Sequence, residues 1–212
     1  MNILKSMVTV VLIAFCFSSV ILMAQDDALI HQYKFDGNLE DAVGDSNGVI
    51  AAGPGSPVYI EGHDGTANGA ILFSPESTEW YMVDVGRFSP SQEGKVNEMT
   101  VTFWAKWKGS SGGPPKYLPQ DIINKRDDYA ASKMMWGINQ HGFTQHILSV
   151  HRAPGEKANS SKGMPKDKWA HVAISMDGKQ AYFYMDGELY DTKKYTYGSG
   201  VNAMIRIGNS AN

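Results

Sequence analysis

From Trp169 to Met176 the even positions hold Ala170, Val172, Ile174 and Met176, and the odd ones Trp169, His171, Ala173 and Ser175. That alternation predicts a strand with one apolar face. Asp177-Gly178 then reads as a tight type I′ hairpin, because such a turn needs positive φ at both central residues. The next strand, 180–185, puts Ala181, Phe183 and Met185 on one face, and Asp186-Gly187 turns the chain again into 188–192. The two aspartates are therefore turn residues in a three-strand meander rather than a catalytic pair. Upstream, Met99, Val101, Phe103, Ala105 and Trp107 share one face, and Thr100, Thr102, Trp104 and Lys106 the other. One strand thus carries two tryptophans that point in opposite directions.

Further strands are expected at 29–35, 70–73, 81–85, 121–124, 133–139, 143–150 and 204–207, with no amphipathic helix after the N-terminal segment. Many short strands separated by glycine-rich turns predict an all-β antiparallel sandwich. Two stretches, 108–121 and 152–167, are rich in Gly, Pro and Ser and are read as long loops without regular structure, the usual place for a binding function on a rigid scaffold.

Composition narrows the class. Lys5 followed by the apolar run to Ala24, then Gln25-Asp26-Asp27, has the order of a signal peptide over residues 1–24, with an uncleaved membrane anchor as the alternative. Residues 25–212 then form one secreted or cell-surface domain. Losing the leader removes Lys5 and no acid, so the formal net charge moves from -3 to -4. With no basic block, nucleic acid is excluded as a partner. The single cysteine, Cys16, lies inside the leader, which leaves no disulfide and no cysteine metal site.

The order of segments resembles the laminin-G-like jelly roll of the concanavalin A-like lectin/glucanase superfamily. The resemblance is carried by HQYKFDGNLEDAVG, NGAILF, MTVTFWAKW, IINK, KWAHVAISMDGKQAYFYMDGELYDT and IRIGN, in that order, from about His31 to Asn209. It implies a two-sheet antiparallel jelly-roll sandwich, one sheet having a concave face. In such modules a Gly-x-Ile-Asp-Glu-Val-x-Ile-Tyr strand usually follows the Ile-Gly strand. None is present before Asn212, so the resemblance implies a domain lacking its final strand, with 29–35 left as an open edge.

The superfamily holds both binding modules and enzymes, so the site has to decide. A retaining glycanase of this fold needs Glu-x-Asp-x-x-Glu on one strand, and the chain has no such triplet. The Arg-x-Glu-Leu-Arg-Glu strand of jelly-roll alginate lyases is also missing, and Gln145-His146-Ile147 only scrambles their Gln-Ile-His. His141, His146 and His151, five apart, alternate faces in a strand. His171 and Trp169 are expected to serve folding, and Trp136, in phase with Met134 and Ile138, to lie in the core.

Asp36, Asn38 and Asp41, in FDGNLEDAVGDSNG, supply hard oxygen ligands in a turn-rich loop. Modules of the kind the chain resembles often hold a structural calcium, so the resemblance implies ligands from this loop. Two readings stand: a calcium loop, or an Asx-rich turn with no metal. For glycan contact the candidates are Tyr117 in the first long loop, and Arg126, Asp128 and Tyr129 in RDDYAAS. The sequence therefore reads as a non-catalytic module for carbohydrate or another extracellular ligand, with other domains in a longer chain. A polysaccharide-active enzyme and a structural adhesion or spacer domain are the alternatives.

Overall fold

The computed structural model describes residues 29–73, 80–88, 98–109, 120–141 and 147–208. The leader, Tyr117 and His146 fall outside these. Residues 1–30 and 31–212 form separate units; of the first, only Leu29 and Ile30 are described, and both are exposed.

The described strands are β1 (Val49–Ala52), β2 (Val58–Ile60), β3 (Ala70–Leu72), β4 (Met82–Gly86), β5 (Met99–Lys106), β6 (Gln120–Arg126), β7 (Met134–His141), β8 (Ile147–Arg152), β9 (Glu156–Asn159), β10 (Trp169–Met176), β11 (Gln180–Met185), β12 (Glu188–Lys194) and β13 (Ile205–Gly208). They form a seven-stranded sheet, β1-β4-β13-β6-β7-β8-β9, a four-stranded sheet, β12-β11-β10-β5, and the small ribbon β2-β3. Every named ladder is antiparallel. The chain is thus the all-β antiparallel sandwich that its hydrophobic pattern predicts, with the jelly-roll fold that the resemblance implies.

Alternation decides which side chains meet between the sheets. Ala170, Val172, Ile174 and Met176 of β10 and Ala181 and Phe183 of β11 are fully buried. They pack against Val83, Val85, Trp136, Ile138, Leu148, Val150, Ala158 and Ile205 of the seven-stranded sheet in one core. Trp136 lies there as expected. Lys125 is also buried, and its ammonium donates to the carbonyls of Arg87, Phe88 and Ala203 at 2.8–3.1 Å. Burial, reinforced by the Arg87 charge, pushes its pKa down to about 8.

Five expectations are corrected. Residues 29–35 form no strand: Tyr33 makes a single bridge to Asp41. The tyrosine is fixed by its hydroxyl, which donates to the carbonyls of Ser46 and Val85. The stretch 152–167 contains β9, whose Glu-Lys-Ala-Asn run pairs with β8, Pro154 and Gly155 lying in the turn before it and Gly163 and Pro165 beyond its end. Strands β1 and β2 are additions, short and half exposed, with little alternation to betray them. The Asp177-Gly178 hairpin is not type I′. Only Gly178 has positive φ, and the Asp177 carboxylate instead accepts from the N–H groups of Lys179 and Gln180. The I′ pattern belongs to Asp186-Gly187, with φ of 52° and 87°. Finally, Trp169 faces outward and is half-buried, with the Lys106 ammonium 5.0 Å from its ring centre; Trp107, 7 % exposed, is the buried tryptophan of that region.

Candidate functional site

In an antiparallel ladder, directly opposed residues project from the same face. The register therefore strings the outward residues of the seven-stranded sheet into rows, on the side away from the core. One row runs Asp84, Arg206, Asn124, Gly137, His151, Lys157 across β4, β13, β6, β7, β8 and β9. A second runs Asp121, Asn139, Ser149, Asn159 across β6 to β9. At about 4.8 Å between strands, a row crossing six strands runs for roughly 24 Å. A sandwich sheet with one solvated face commonly carries scattered polar residues there; here they are contiguous, and several are buried.

Asn124 and Ser149 are 0 %, Asn139 3 % and His151 4 % exposed. Ser149 Oγ donates to Asn159 Oδ1 at 2.9 Å. Asn139 Nδ2 lies 3.1 Å from His151 Nδ1. Neither amide atom of Asn124 has a partner, and neither does Asn139 Oδ1. Buried side-chain amides are nearly always paired, so three orphaned atoms on adjacent strands are a cost that the folded chain carries.

The guanidinium groups of this face are matched internally. Arg206 Nε bonds Asp84 Oδ1 at 2.9 Å, and its Nη1 donates to the Arg126 carbonyl. Arg126 Nη2 lies 3.6 Å from Asp121 Oδ2, the two residues flanking Asn124 in β6. The Arg126 guanidinium also sits 5.8 Å from the centre of the Tyr129 ring. That ring is 50 % exposed and lies 6.4 Å from the His151 ring. Of the sequence-derived glycan candidates, Arg126 and Tyr129 therefore come together beside the polar rows. Asp128 does not join them: it sits exposed on the turn, where its carboxylate accepts from the Tyr129 N–H. Its neighbour Asp127 holds Arg87 at 2.8 Å and the Met204 N–H.

The metal candidates Asp36, Asn38 and Asp41 are engaged by the chain's own groups. Asp41 is buried, and its two oxygens accept from His31 Nδ1 at 2.6 Å and from the N–H groups of Gln32, Val43, Gly44 and Ser46. Burial alone would raise its carboxyl. The hydrogen bonds from His31, Gln32, Gly44 and Val43 outweigh that and hold it well below the usual carboxylate range. Asn38 turns its oxygen to the Glu40 N–H and donates to Asp36. With Asp41 committed to five donors and Asn38 to a turn, this set does not fit a calcium ion. Among the described residues no group of three His, Cys, Asp or Glu is placed to hold a metal.

The opposite outer face, on the four-stranded sheet, carries an aromatic cluster that sequence reasoning did not assign. Trp104, 46 % exposed, has the His63 ring 4.1 Å away and the His171 ring at 5.1 Å, while Thr102 Oγ1 lies 2.8 Å from His171 Nε2. His171 and Trp169 thus share this face rather than the core. The polar rows were missed for another reason: they depend on pairing between β6, β7 and β8. The one local sign was an Asn in phase with Arg126 after the apolar pair Ile122-Ile123.

A family model described as the concanavalin A-like lectin/glucanases superfamily matches residues 84–212. Domain 4 of AbnA, a GH43 extracellular arabinanase from Geobacillus stearothermophilus, solved in complex with arabinotriose, aligns with a TM-score of 0.61 at 18% identity. The alignment covers 84% of this chain and 82% of that one. Weaker likenesses are the Caenorhabditis elegans galectin LEC-6, with a TM-score of 0.31 at 12% identity over 53% of this chain and 92% of that one, and alginate lyase A1-II′ of polysaccharide lyase family-7, with 0.37 at 14% over 67% and 70%. No curated protein matches the chain in sequence.

Proposed function

The chain belongs to the concanavalin A-like lectin/glucanase superfamily, and from that premise we propose that it is a non-catalytic glycan-binding module whose site is the outward face of the seven-stranded sheet. The observation that carries this reading is the pair of contiguous polar rows on that face, with the half-exposed Tyr129 ring beside them. Sugars present hydroxyls that both donate and accept, and an apolar ring face that stacks on an aromatic side chain. The exposed Lys157 and Asn159 at the open end of the rows supply the first kind of partner, and the half-exposed Tyr129 ring the second. Two features support binding without turnover. Among the described residues, no pair of carboxylates lies across the rows near Asn124 other than Asp84 and Asp121, and each of these is held by an arginine. The His151 imidazole on the floor has its Nδ1 against the Asn139 amide. The leader-like N-terminal sequence supports secretion, with the module working beside other domains of a longer chain.

The test is calorimetric titration of the purified chain with neutral oligosaccharides, arabinotriose being the first probe because the AbnA domain was solved with it. A parallel long incubation on polysaccharide measures new reducing ends. Saturable binding without new reducing ends is expected. New reducing ends would make the chain an enzyme, and no binding to any glycan would remove the proposal.

A further inference from the structure

We infer that the glycan preferred by this face is an acidic one, a uronate or a sulfate ester, whose anionic group is held by Lys157 while a neighbouring sugar ring lies on Tyr129. The inference rests on the binding reading above and adds the charge of the ligand to it.

The open end of the two rows offers donors and no acceptor. Lys157 and Asn159 lie two apart on β9, the edge of the seven-stranded sheet, so they project from the same face, and both are exposed. An ammonium has three N–H donors and nothing that accepts. The Asn159 oxygen already accepts from the Ser149 hydroxyl, which leaves its NH2 group to offer. Sugar hydroxyls are served best by donors and acceptors together. A surface that only donates, and carries positive charge, is complementary to a group of oxygen acceptors carrying negative charge. Edge strands often bear a lysine that discourages pairing with another chain. That purpose does not account for the Asn159 oxygen being turned to Ser149.

The Lys157 charge is also uncompensated. Among the described residues no carboxylate forms an ion pair with it. Asp84, Asp121 and Asp127 each sit against an arginine. Glu156, its neighbour in the chain, is in the opposite phase of β9 and is held by Arg152 and the Thr196 N–H. The exposed Asp128 belongs to the turn that carries Tyr129 and would repel an anion there, which sets the anionic group on the Lys157 side of the ring.

The spacing suits two linked sugars. Lys157 opposes His151 across the β8–β9 ladder, and the His151 ring lies 6.4 Å from that of Tyr129. With about 4.8 Å between strands, Lys157 and the Tyr129 ring are on the order of 10 Å apart along the sheet. Adjoining residues of one glycan can reach both.

The experiment titrates the wild-type chain, Lys157→Gln, Lys157→Glu and Lys194→Gln with galactotriose, trigalacturonate and a sulfated galactotriose, at low and at physiological ionic strength, and records a melting curve for each protein. Lys194, exposed on the other sheet, controls for net charge. The wild type should bind at least one acidic triose about fivefold tighter than galactotriose at low salt, the size of one exposed charge contact, and the triose preferred tells uronate from sulfate ester. Added salt should shrink that preference, because it screens exposed charges. Lys157→Gln should abolish the preference and Lys157→Glu reverse it, both with the wild-type melting curve, and Lys194→Gln should keep it. Equal affinity of the wild type for acidic and neutral trioses, a preference that survives in Lys157→Gln, or an equal loss in Lys194→Gln overturns this inference and leaves glycan binding standing. So does displacement of the acidic triose by inorganic sulfate at equal concentration, which would mean an adventitious ion only. Failure of the wild type to bind any of the three sugars removes both.

Discussion

Gly137 stands between Asn124 and His151 in one cross-strand row, and its missing side chain is what leaves room for the imidazole. A Cβ there would lie 2.7 Å from His151 Cε1 and 3.0 Å from Met134 Cε. Both are tighter than ordinary van der Waals contact, and the imidazole is held against the Asn139 amide. Gly137→Ala should therefore move His151 and lower glycan affinity by about tenfold, a displacement worth roughly 1.4 kcal/mol. The cooperative melt should remain. Titration and melting of the same sample check this, and unchanged affinity would show that the His151 position does not matter to the ligand.

Asp41 binds the N-terminal loop together through five donors. Its carboxyl titrates below the unfolded value of about 3.9. The linked stability is therefore fully present above that value and is lost as pH falls through the folded one. Asp41→Asn should cost about 1–3 kcal/mol at neutral pH, and its deficit relative to wild type should shrink below about pH 4. Melting temperatures from pH 7 down to the acid limit check this; a deficit that stays constant in acid would contradict it. The same curves in millimolar calcium and in chelator should coincide, because the oxygens that a metal would need are already used.

Two tryptophans three residues apart should behave oppositely. Trp107 is 7 % exposed, with its indole N–H on Gln120, whereas Trp104 is 46 % exposed on the outer face of the other sheet. Trp107→Ala should cost about 3–5 kcal/mol, as large aromatic truncations in a core do. Trp104→Ala should stay within about 1 kcal/mol and leave sugar affinity unaltered. Denaturant unfolding of both variants separates them; equal costs would mean that the His63 and His171 contacts stabilise the fold more than their exposure suggests.

The sheets were legible wherever a strand has one wet and one dry face. Alternation placed β5, β10 and β11 almost to the residue, and it set Trp104 and Trp107 on opposite sides. It failed where local composition hides pairing. Lys157 and Ala158 form part of a strand because β8 offers them a ladder, a fact that no window around Pro154 and Gly155 contains. The site was legible only in part for the same reason. Arg126 and Tyr129 announced themselves as a charged and aromatic pair in a turn. Asn124, Asn139 and Ser149 look ordinary one by one, and become a floor only when three strands are laid in register. Asp41 showed the reverse: an acidic loop suggested a cation, and the chain instead folded five of its own donors around that carboxylate.

The central claim is that sugar binds the outward face of the seven-stranded sheet. The most direct test is a heteronuclear NMR titration of the isotope-labelled chain with a neutral oligosaccharide, following backbone amides and the side-chain NH2 groups of asparagine. The account predicts that the largest shifts fall on Asn124, Arg126, Tyr129, Gly137, Asn139 and His151, with the amides around Trp104, His63 and His171 unmoved. Shifts confined to the Trp104 face would contradict it.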